Sequence, residues 1–207
     1  IGEGATASIE TIADDLAGLL DHVGLGSANV LGISFGGFVA QEFALSYPSR
    51  VTKLVLASTG FGGPNHVPPS PEVLASFATT AELNSPERIR KYLTTAFSKE
   101  FLNANPGEVA RFCDLREKNP VPEDVYRQQL ESAMMFYTEN RIGGISAETL
   151  VITGDADTVV PPQNSLNLAA KIPNARIEMI RAAGHMAFVE RAAEFNHLVS
   201  SFLNYEK

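Results

Sequence analysis

The sequence has little cysteine and little positive charge, and it contains no tryptophan and no long apolar run. The single cysteine, Cys113, excludes an internal disulfide and any metal site built from cysteines alone, and we expect it to be a small buried hydrophobic side chain. The 24 aspartate and glutamate residues outnumber the 16 lysine and arginine residues, which gives a net charge of −8. Because phosphate contacts need clustered cationic side chains, we expect no nucleic-acid partner. No apolar run reaches the roughly 18 residues of a membrane-spanning helix, so no membrane association is predicted.

Motifs that hold a cofactor or a metal ion are also missing. The segment Gly24-Leu25-Gly26 resembles the start of a dinucleotide-binding fingerprint, but it follows a predicted helix and lacks the third glycine. A calcium loop beginning at Asp155 fails because Val159 and Val160 occupy positions that need a ligand and a glycine. The histidines are not spaced as metal ligands; they are His22, His66, His185 and His197. We therefore expect no cofactor and no bound metal.

The overall composition, with 44% apolar and 19% charged residues, is that of a folded globular protein. Apolar residues recur at helical spacing over residues 8–23, and a short apolar run at 29–33 predicts a buried strand. A second helix ends at Tyr47-Pro48, and residues 53–57 predict another strand. Alternating helices and strands indicate a mostly parallel sheet with crossover helices. The N-terminal residues lack the basic segment of a signal peptide, and we expect a cytoplasmic protein.

The middle of the chain interrupts this alternation. Residues 60–71 are rich in glycine and proline, which predicts a loop. From about 71 to 140 there is no convincing strand but several helix starts, at Ser85-Pro86, Asn105-Pro106 and Pro122-Glu123. Strands and helices then alternate again, and the predicted segments are 149–153, 163–171, 176–180 and 192–205. We therefore predict an α/β core formed by residues 1–60 and 146–207, with an inserted all-helical unit at 61–145.

The strongest local motif is Gly32-Ile33-Ser34-Phe35-Gly36, a G-x-S-x-G sequence between a predicted strand and a predicted helix. This is the setting of a nucleophile elbow, a sharp turn that exposes a serine hydroxyl. The turn is tight, so we predict that a side chain at Gly32 or Gly36 would collide with neighbouring backbone. The alternative is a glycine-rich turn with an incidental serine.

A serine needs a base that is oriented by an acid, and both types of residue follow predicted strands further along the chain. Asp155 and Asp157 follow the strand at 149–153, and His185 follows the strand at 176–180. Since the carboxyl ends of parallel strands meet at one edge of a sheet, we expect these groups to lie near Ser34. Either aspartate could be the acid; the other would hydrogen-bond backbone in its turn.

Three segments together resemble the α/β-hydrolase family, and the resemblance covers essentially the whole chain. They are the elbow region Asn29–Thr59, the acid loop Leu150–Pro161 and the histidine loop with the last helix, Ala183–Asn196. The order Ser34, Asp157, His185 is that of the family, whose pattern places the acid at Asp157. The family often has proline where Ala192 stands. The resemblance also implies that the insert at 61–145 is a cap.

The group that the chain resembles most is that of serine esterases and lactonases, together with cofactor-free haloperoxidases. The resemblance implies that Ser34 attacks a small apolar ester or lactone, with His185 as base, Asp157 as acid and the Phe35 backbone N–H as oxyanion donor. A perhydrolase with the same triad and a non-catalytic binding module are the alternatives. The aromatic and methionine residues of the insert predict either a substrate pocket or internal packing; they are Phe77, Phe97, Phe101, Phe112, Met134, Met135, Phe136 and Tyr137.

The family's first strands, with a loop that often carries His-Gly and gives a second oxyanion donor, precede the helix at 8–23. The sequence begins at Ile1 and contains no His-Gly, so we expect those strands upstream of it. The strand at 29–33 should then be an apolar sheet edge, available to an upstream segment or to a second copy of the chain as a homodimer. His66 lies in the loop before the insert and is a weaker pocket candidate, whereas His22 and His197 lie on helices.

Overall fold

Four parallel strands form the centre of the computed structural model, which describes residues 8–77 and 84–204. Each strand is hydrogen-bonded to the next one in the chain, and their bounds are β1 Ala28–Ile33, β2 Val51–Ala57, β3 Glu148–Gly154 and β4 Ala175–Ile180. All three pairings are parallel. The predicted parallel sheet with crossover helices is therefore confirmed.

Helices before, between and after these strands cover both faces of the sheet. In the described residues they are α1 Ile9–His22, α2 Phe35–Ser46, α3 Pro71–Phe77, α4 Pro86–Ala96, α5 Lys99–Ala104, α6 Pro106–Lys118, α7 Glu123–Met135, α8 Pro162–Lys171, α9 Ala187–Glu190 and α10 Ala192–Leu203. Leu54 and Leu56 of β2 pack with α1, α2 and α8, whereas Val55 and Ala57 pack with α9 and α10. This alternation follows from the period of two along a strand, and it makes β2 apolar on both faces.

Local capping residues account for the helix bounds that the sequence predicts. Ser8 accepts a hydrogen bond from the Thr11 N–H at the start of α1, and Gly24, just beyond its end, has a φ of +72°. Helix α2 ends before Tyr47-Pro48, and Ser85 caps α4, where proline follows at the first helical position.

Between β2 and β3 the chain forms α3 to α7, which we call the helical insert (Pro71–Met135). Its interior contains Ile89, Leu93, Phe97, Val109 and Cys113, so Cys113 is a buried apolar side chain as predicted. The starts of α4, α6 and α7 agree with the prediction, whereas α3 and α5 were not predicted.

Two polar side chains of α2 attach the connections of the helical insert to the core. The fully buried Gln41 donates to the Gly60 carbonyl at 2.7 Å and accepts from the Thr138 hydroxyl at 2.9 Å. The next residue, Glu42, is also buried and pairs with Arg141 at 2.7 Å. The chain segments that lead into and out of the insert are thus both hydrogen-bonded to one helix.

Strand β1 lies at the edge of the sheet and pairs only with β2 among the described residues. Leu31 is 42% exposed there, so the expected apolar edge is present. Within residues 8–77 and 84–204, no helix is long and apolar enough to cross a membrane. The same residues contain no cluster of three or more His, Cys, Asp or Glu side chains arranged to hold a metal ion.

The burial of β2 gives a test of this packing. Replacing the fully buried Leu56 with alanine should lower the free energy of unfolding by about 2–5 kcal/mol, because it leaves a cavity between sheet and helices. The same change at Leu19, which is 54% exposed on α1, should cost less than about 0.5 kcal/mol. Chemical denaturation measures both values, and equal losses would contradict the described core.

Candidate functional site

Ser34 lies at the sharp turn between β1 and α2, in a strained backbone conformation with φ 52° and ψ −119°. Positive φ is uncommon for a residue other than glycine, and it is held here by three hydrogen bonds. The Ser34 N–H donates to the Ala57 carbonyl, and the Ser34 carbonyl accepts from the Gly37 N–H and the Thr59 hydroxyl, all at 2.9 Å. This turn has the geometry that the elbow motif predicts.

The glycines around Ser34 differ in how strictly they are required. A Cβ at Gly32 would collide with the Gly36 carbonyl oxygen and would lie 2.7 Å from the Ala40 Cβ, as expected. The expectation for Gly36 is wrong, because a Cβ there meets nothing within 4 Å among the described residues. Gly37 is the second constrained position, since its Cβ would lie 2.6 Å from the Thr59 side chain.

The His185 imidazole joins Ser34 to Asp157. Its Nδ1 lies 2.9 Å from Asp157 Oδ2, and its Nε2 lies 2.9 Å from Ser34 Oγ. A carboxylate can only accept hydrogen bonds, so Nδ1 carries the proton and Nε2 is left to accept from the serine hydroxyl. The structure thus brings together the three side chains singled out in the sequence.

Backbone contacts and burial fix the Asp157 carboxylate. Its Oδ1 accepts from the N–H groups of Val159 and Val160 at 2.9 and 2.8 Å, which directs Oδ2 at His185. Asp157 is 3% exposed and His185 is 6% exposed. Little water therefore competes for these hydrogen bonds, which strengthens them.

Asp155 occupies a different position. Its Oδ1 accepts from the Ala182 N–H at 2.7 Å, where Ala182 adopts a positive φ of 54° in the turn after β4. Asp155 therefore binds backbone, as the sequence suggested, but in the turn after β4 rather than in its own turn. His185 is hydrogen-bonded to Asp157 and not to Asp155.

Two hydroxyl residues at the end of β2 also support the site, and sequence reasoning missed both. The Ser58 hydroxyl donates to the His185 carbonyl at 3.2 Å, and Thr59 binds the Ser34 carbonyl as described above. Ser58 itself has a positive φ of 47°. Their only signal in the sequence is their position directly after a strand that lies next to the elbow strand.

Aromatic residues lie on α2 directly after Ser34 and directly after the insert. Phe35 is the first residue of α2, so its N–H has no acceptor within the helix and is the expected oxyanion donor. The Phe38 ring stacks on Phe136 with ring centroids 4.4 Å apart. Phe136, which directly follows α7, therefore connects the end of the insert to α2.

The other apolar residues of the insert divide into two groups. Phe97, Phe101 and Phe112 pack together inside the insert, which agrees with the packing alternative. Met134 and Met135 are 79% and 85% exposed, so neither contributes to that interior. The side chain of Phe77 lies outside the described part of the structure.

His66 lies in the connection before the insert, close to Gly60, and its Nδ1 is buried without a partner among the described residues. Burial lowers the pKa of His66 because it disfavours the charged imidazolium. The structure gives His66 no hydrogen bond to Ser34, Asp157 or His185. His22 and His197 are exposed on their helices.

The sequence profile of the alpha/beta hydrolase fold matches residues 4–192 of the chain. The chain belongs to the α/β-hydrolase family. Two curated relatives are similar along most of it. A poly(3-hydroxyalkanoate) depolymerase from Ectopseudomonas oleovorans is 31% identical over 92% of this chain and 66% of its own length. A 2-hydroxy-6-oxononadienedioate/2-hydroxy-6-oxononatrienedioate hydrolase from Burkholderia vietnamiensis is 33% identical over 91% of this chain and 66% of its own length.

A solved structure supports the same assignment. The thermophilic esterase from Thermogutta terrifontis superposes with a TM-score of 0.80 at 28% identity, over 97% of this chain and 74% of that one. The predicted α/β-hydrolase fold is thus confirmed. This α/β-hydrolase chain spans 66% of the length of the two curated relatives.

The different environments of the two motif glycines give a test of the elbow. Gly32→Ala should lower the free energy of unfolding by about 1–3 kcal/mol or more, because its methyl group collides with fixed backbone. Gly36→Ala should leave stability unchanged or raise it by up to about 1 kcal/mol, since alanine favours the helix. Thermal or chemical unfolding of both variants compares them, and a large loss from Gly36→Ala would contradict the elbow geometry.

Proposed function

We propose that this chain is a serine hydrolase that cleaves a small carboxylic ester or lactone through an acyl-enzyme. The observation that carries the proposal is the pair of 2.9 Å hydrogen bonds linking Ser34 Oγ to His185 Nε2 and His185 Nδ1 to Asp157 Oδ2. A serine hydroxyl is a weak nucleophile, and this arrangement supplies both a base and a group that orients it.

In the first half-reaction Ser34 Oγ attacks the substrate carbonyl carbon while its proton passes to His185 Nε2. The buried Asp157 carboxylate stabilises the imidazolium that forms, and its two backbone hydrogen bonds keep it directed at Nδ1. The Phe35 N–H, at the first residue of α2, has no acceptor within the helix and donates to the developing oxyanion. Collapse of the tetrahedral intermediate breaks the bond to the alcohol oxygen, which takes the proton from Nε2.

The second half-reaction uses the same groups on water. His185 Nε2 takes a proton from a water molecule, the resulting nucleophile attacks the acyl carbon, and Ser34 leaves with that proton. The carboxylic acid product is released and the free enzyme is regenerated, and neither half-reaction uses a cofactor. For a lactone, the alcohol and the acid are parts of one ring-opened molecule.

The ester or lactone preference is supported by two of the named relatives, a poly(3-hydroxyalkanoate) depolymerase and an esterase. The half-buried Phe35 and Phe38 rings, with centroids 6.5 Å apart, make the start of α2 beside Ser34 apolar, which suits a neutral substrate. A cofactor-free perhydrolase would use the same triad, with hydrogen peroxide in place of water. Activity that depends on peroxide and a carboxylic acid, without ester hydrolysis, would favour that alternative.

The nucleophile role of Ser34 has a direct test. Ser34→Ala should lower hydrolysis of a chromogenic short-chain ester by at least about 10³-fold, since it removes the attacking oxygen. A fluorophosphonate should label the unchanged chain at Ser34 and leave the variant unlabelled. Turnover that survives the substitution would exclude Ser34 as nucleophile. Turnover of a 2-hydroxy-6-oxo-dienedioate without any ester hydrolysis would instead overturn the substrate class alone.

The two aspartates of the acid loop form a matched pair. Asp157→Asn should reduce kcat on the order of 10⁴-fold, because an amide can donate to Nδ1 and so favours the wrong histidine tautomer. Asp155→Asn keeps an oxygen that accepts from the Ala182 N–H and should change kcat less than about threefold. Steady-state kinetics on the same ester measures both variants, and the reverse ranking would assign the acid to Asp155.

A further inference from the structure

Glu190, at the end of α9, is a carboxylate that the proposed mechanism does not use, although it is only 9% exposed. We propose that Glu190 is a positioning residue that couples the helical insert to His185, so that the imidazole is aligned only while the insert is docked. The inference rests on the proposed serine-hydrolase function and extends it to regulation of the same site.

A single oxygen of Glu190 connects the two parts of the structure. Oε1 accepts from the Gly184 N–H at 3.0 Å and from the Ser98 N–H at 3.1 Å. Gly184 directly precedes His185, and Ser98 is the residue that caps α5 of the insert. The carboxylate therefore binds the histidine loop and the α4–α5 junction (Ala96–Ser98) at once.

The histidine loop touches the same junction at two further points. The Met186 N–H donates to the Ala96 carbonyl at 3.1 Å. A Cβ at Gly184 would lie 2.7 Å from the Ser98 nitrogen, so only glycine allows this close approach. Met186 is thus bound directly to the insert and Gly184 is linked to it through Glu190, whereas the His185 carbonyl is bound to Ser58 of the core.

The chemistry of Glu190 indicates positioning rather than stabilisation. Its Oε2 is buried without a hydrogen-bond partner, and no cationic side chain of the described residues forms an ion pair with Glu190. A buried carboxylate without an ion pair is unfavourable compared with an apolar side chain of similar size. An apolar side chain would, however, leave the Gly184 and Ser98 N–H groups unpaired and would release the loop from the insert.

These contacts predict how movement of the insert affects the chemistry. When the α4–α5 junction moves away, Glu190 loses one of its two donors and the loop around His185 loses its outer support. Proton transfer from Ser34 depends on the 2.9 Å separation of Oγ and Nε2, so it is expected to slow before substrate binding is affected.

The first pair of test variants changes the Glu190 side chain. Glu190→Gln keeps an oxygen for both N–H groups and should retain kcat within about threefold. Glu190→Ala removes the acceptor and should lower both kcat for a chromogenic ester and the rate of fluorophosphonate labelling of Ser34 by at least about tenfold, with KM within about threefold. The control, Arg191→Ala, removes a neighbouring exposed ion pair between Arg191 and Glu100 of the insert, and it should leave all three quantities unchanged.

A second pair of variants changes Ser98, whose N–H donates to Glu190. This pair tests the coupling even if Glu190→Ala does not fold. Ser98 has a φ of −65°, which proline also adopts, so Ser98→Pro removes the N–H that binds Glu190 without changing φ. Ser98→Ala removes only the hydroxyl that caps α5. We expect Ser98→Pro to slow labelling and kcat at least about tenfold relative to Ser98→Ala.

The outcomes separate the two proposals. If Ser34 of the unchanged chain is not labelled and no ester is cleaved, the serine-hydrolase function fails, and the role of Glu190 fails with it. If the unchanged chain reacts but Glu190→Ala and Ser98→Pro react as fast as their matched variants, only the coupling is overturned. A rise in KM at constant kcat would likewise overturn it, because it would place Glu190 in substrate binding.

Discussion

The His185 imidazole is hydrogen-bonded at both ring nitrogens, and these two bonds require loops from three strands to meet. Ser34 follows β1, Asp157 follows β3 and His185 follows β4. Strand β2 lies between β1 and β3, and the residues after it bind the Ser34 and His185 carbonyls. The four strand ends can converge because all pairings are parallel, which sends each carboxyl end to the same edge. An antiparallel strand in the place of any of the three would carry its polar loop to the opposite edge.

The sequence predicts this edge because apolar strands and the polar residues behind them can be recognised without coordinates. The choice between Asp155 and Asp157 depended on family resemblance, since both follow the same strand, and the structure separates them by their partners. Ser58 and Glu190 lie within segments that resemble the family, but no sequence pattern assigned either of them a role. Their importance follows from residues more than 90 positions away, because Ser58 binds the loop of His185 and Glu190 binds Ser98. Such contacts are properties of the assembled fold, which local patterns do not contain.

Short elements and glycine requirements were missed for the same reason. Helices α3, α5 and α9 have seven, six and four residues, too few for the period of a helix to be recognised. A serine that caps α5 was the signal that could have indicated it. Gly37 rather than Gly36 is constrained because the Thr59 side chain approaches it from the end of β2, a neighbour that the G-x-S-x-G pattern does not include.

Helix α2 binds the two connections of the helical insert, whereas the histidine side binds the insert itself. It begins directly after Ser34, and two turns later Gln41 and Glu42 bind both connections of the insert through several hydrogen bonds. On the histidine side, the contacts with the insert are the Glu190 hydrogen bond to Ser98, the Met186 hydrogen bond to Ala96 and the exposed Arg191–Glu100 ion pair. A displacement of the α4–α5 junction would therefore act on the histidine loop, and it would leave the elbow in place because none of the hydrogen bonds that hold the Ser34 backbone comes from the insert. Ser34 keeps its strained turn whether or not the insert is displaced, whereas the alignment of its base, His185, varies with the position of the insert.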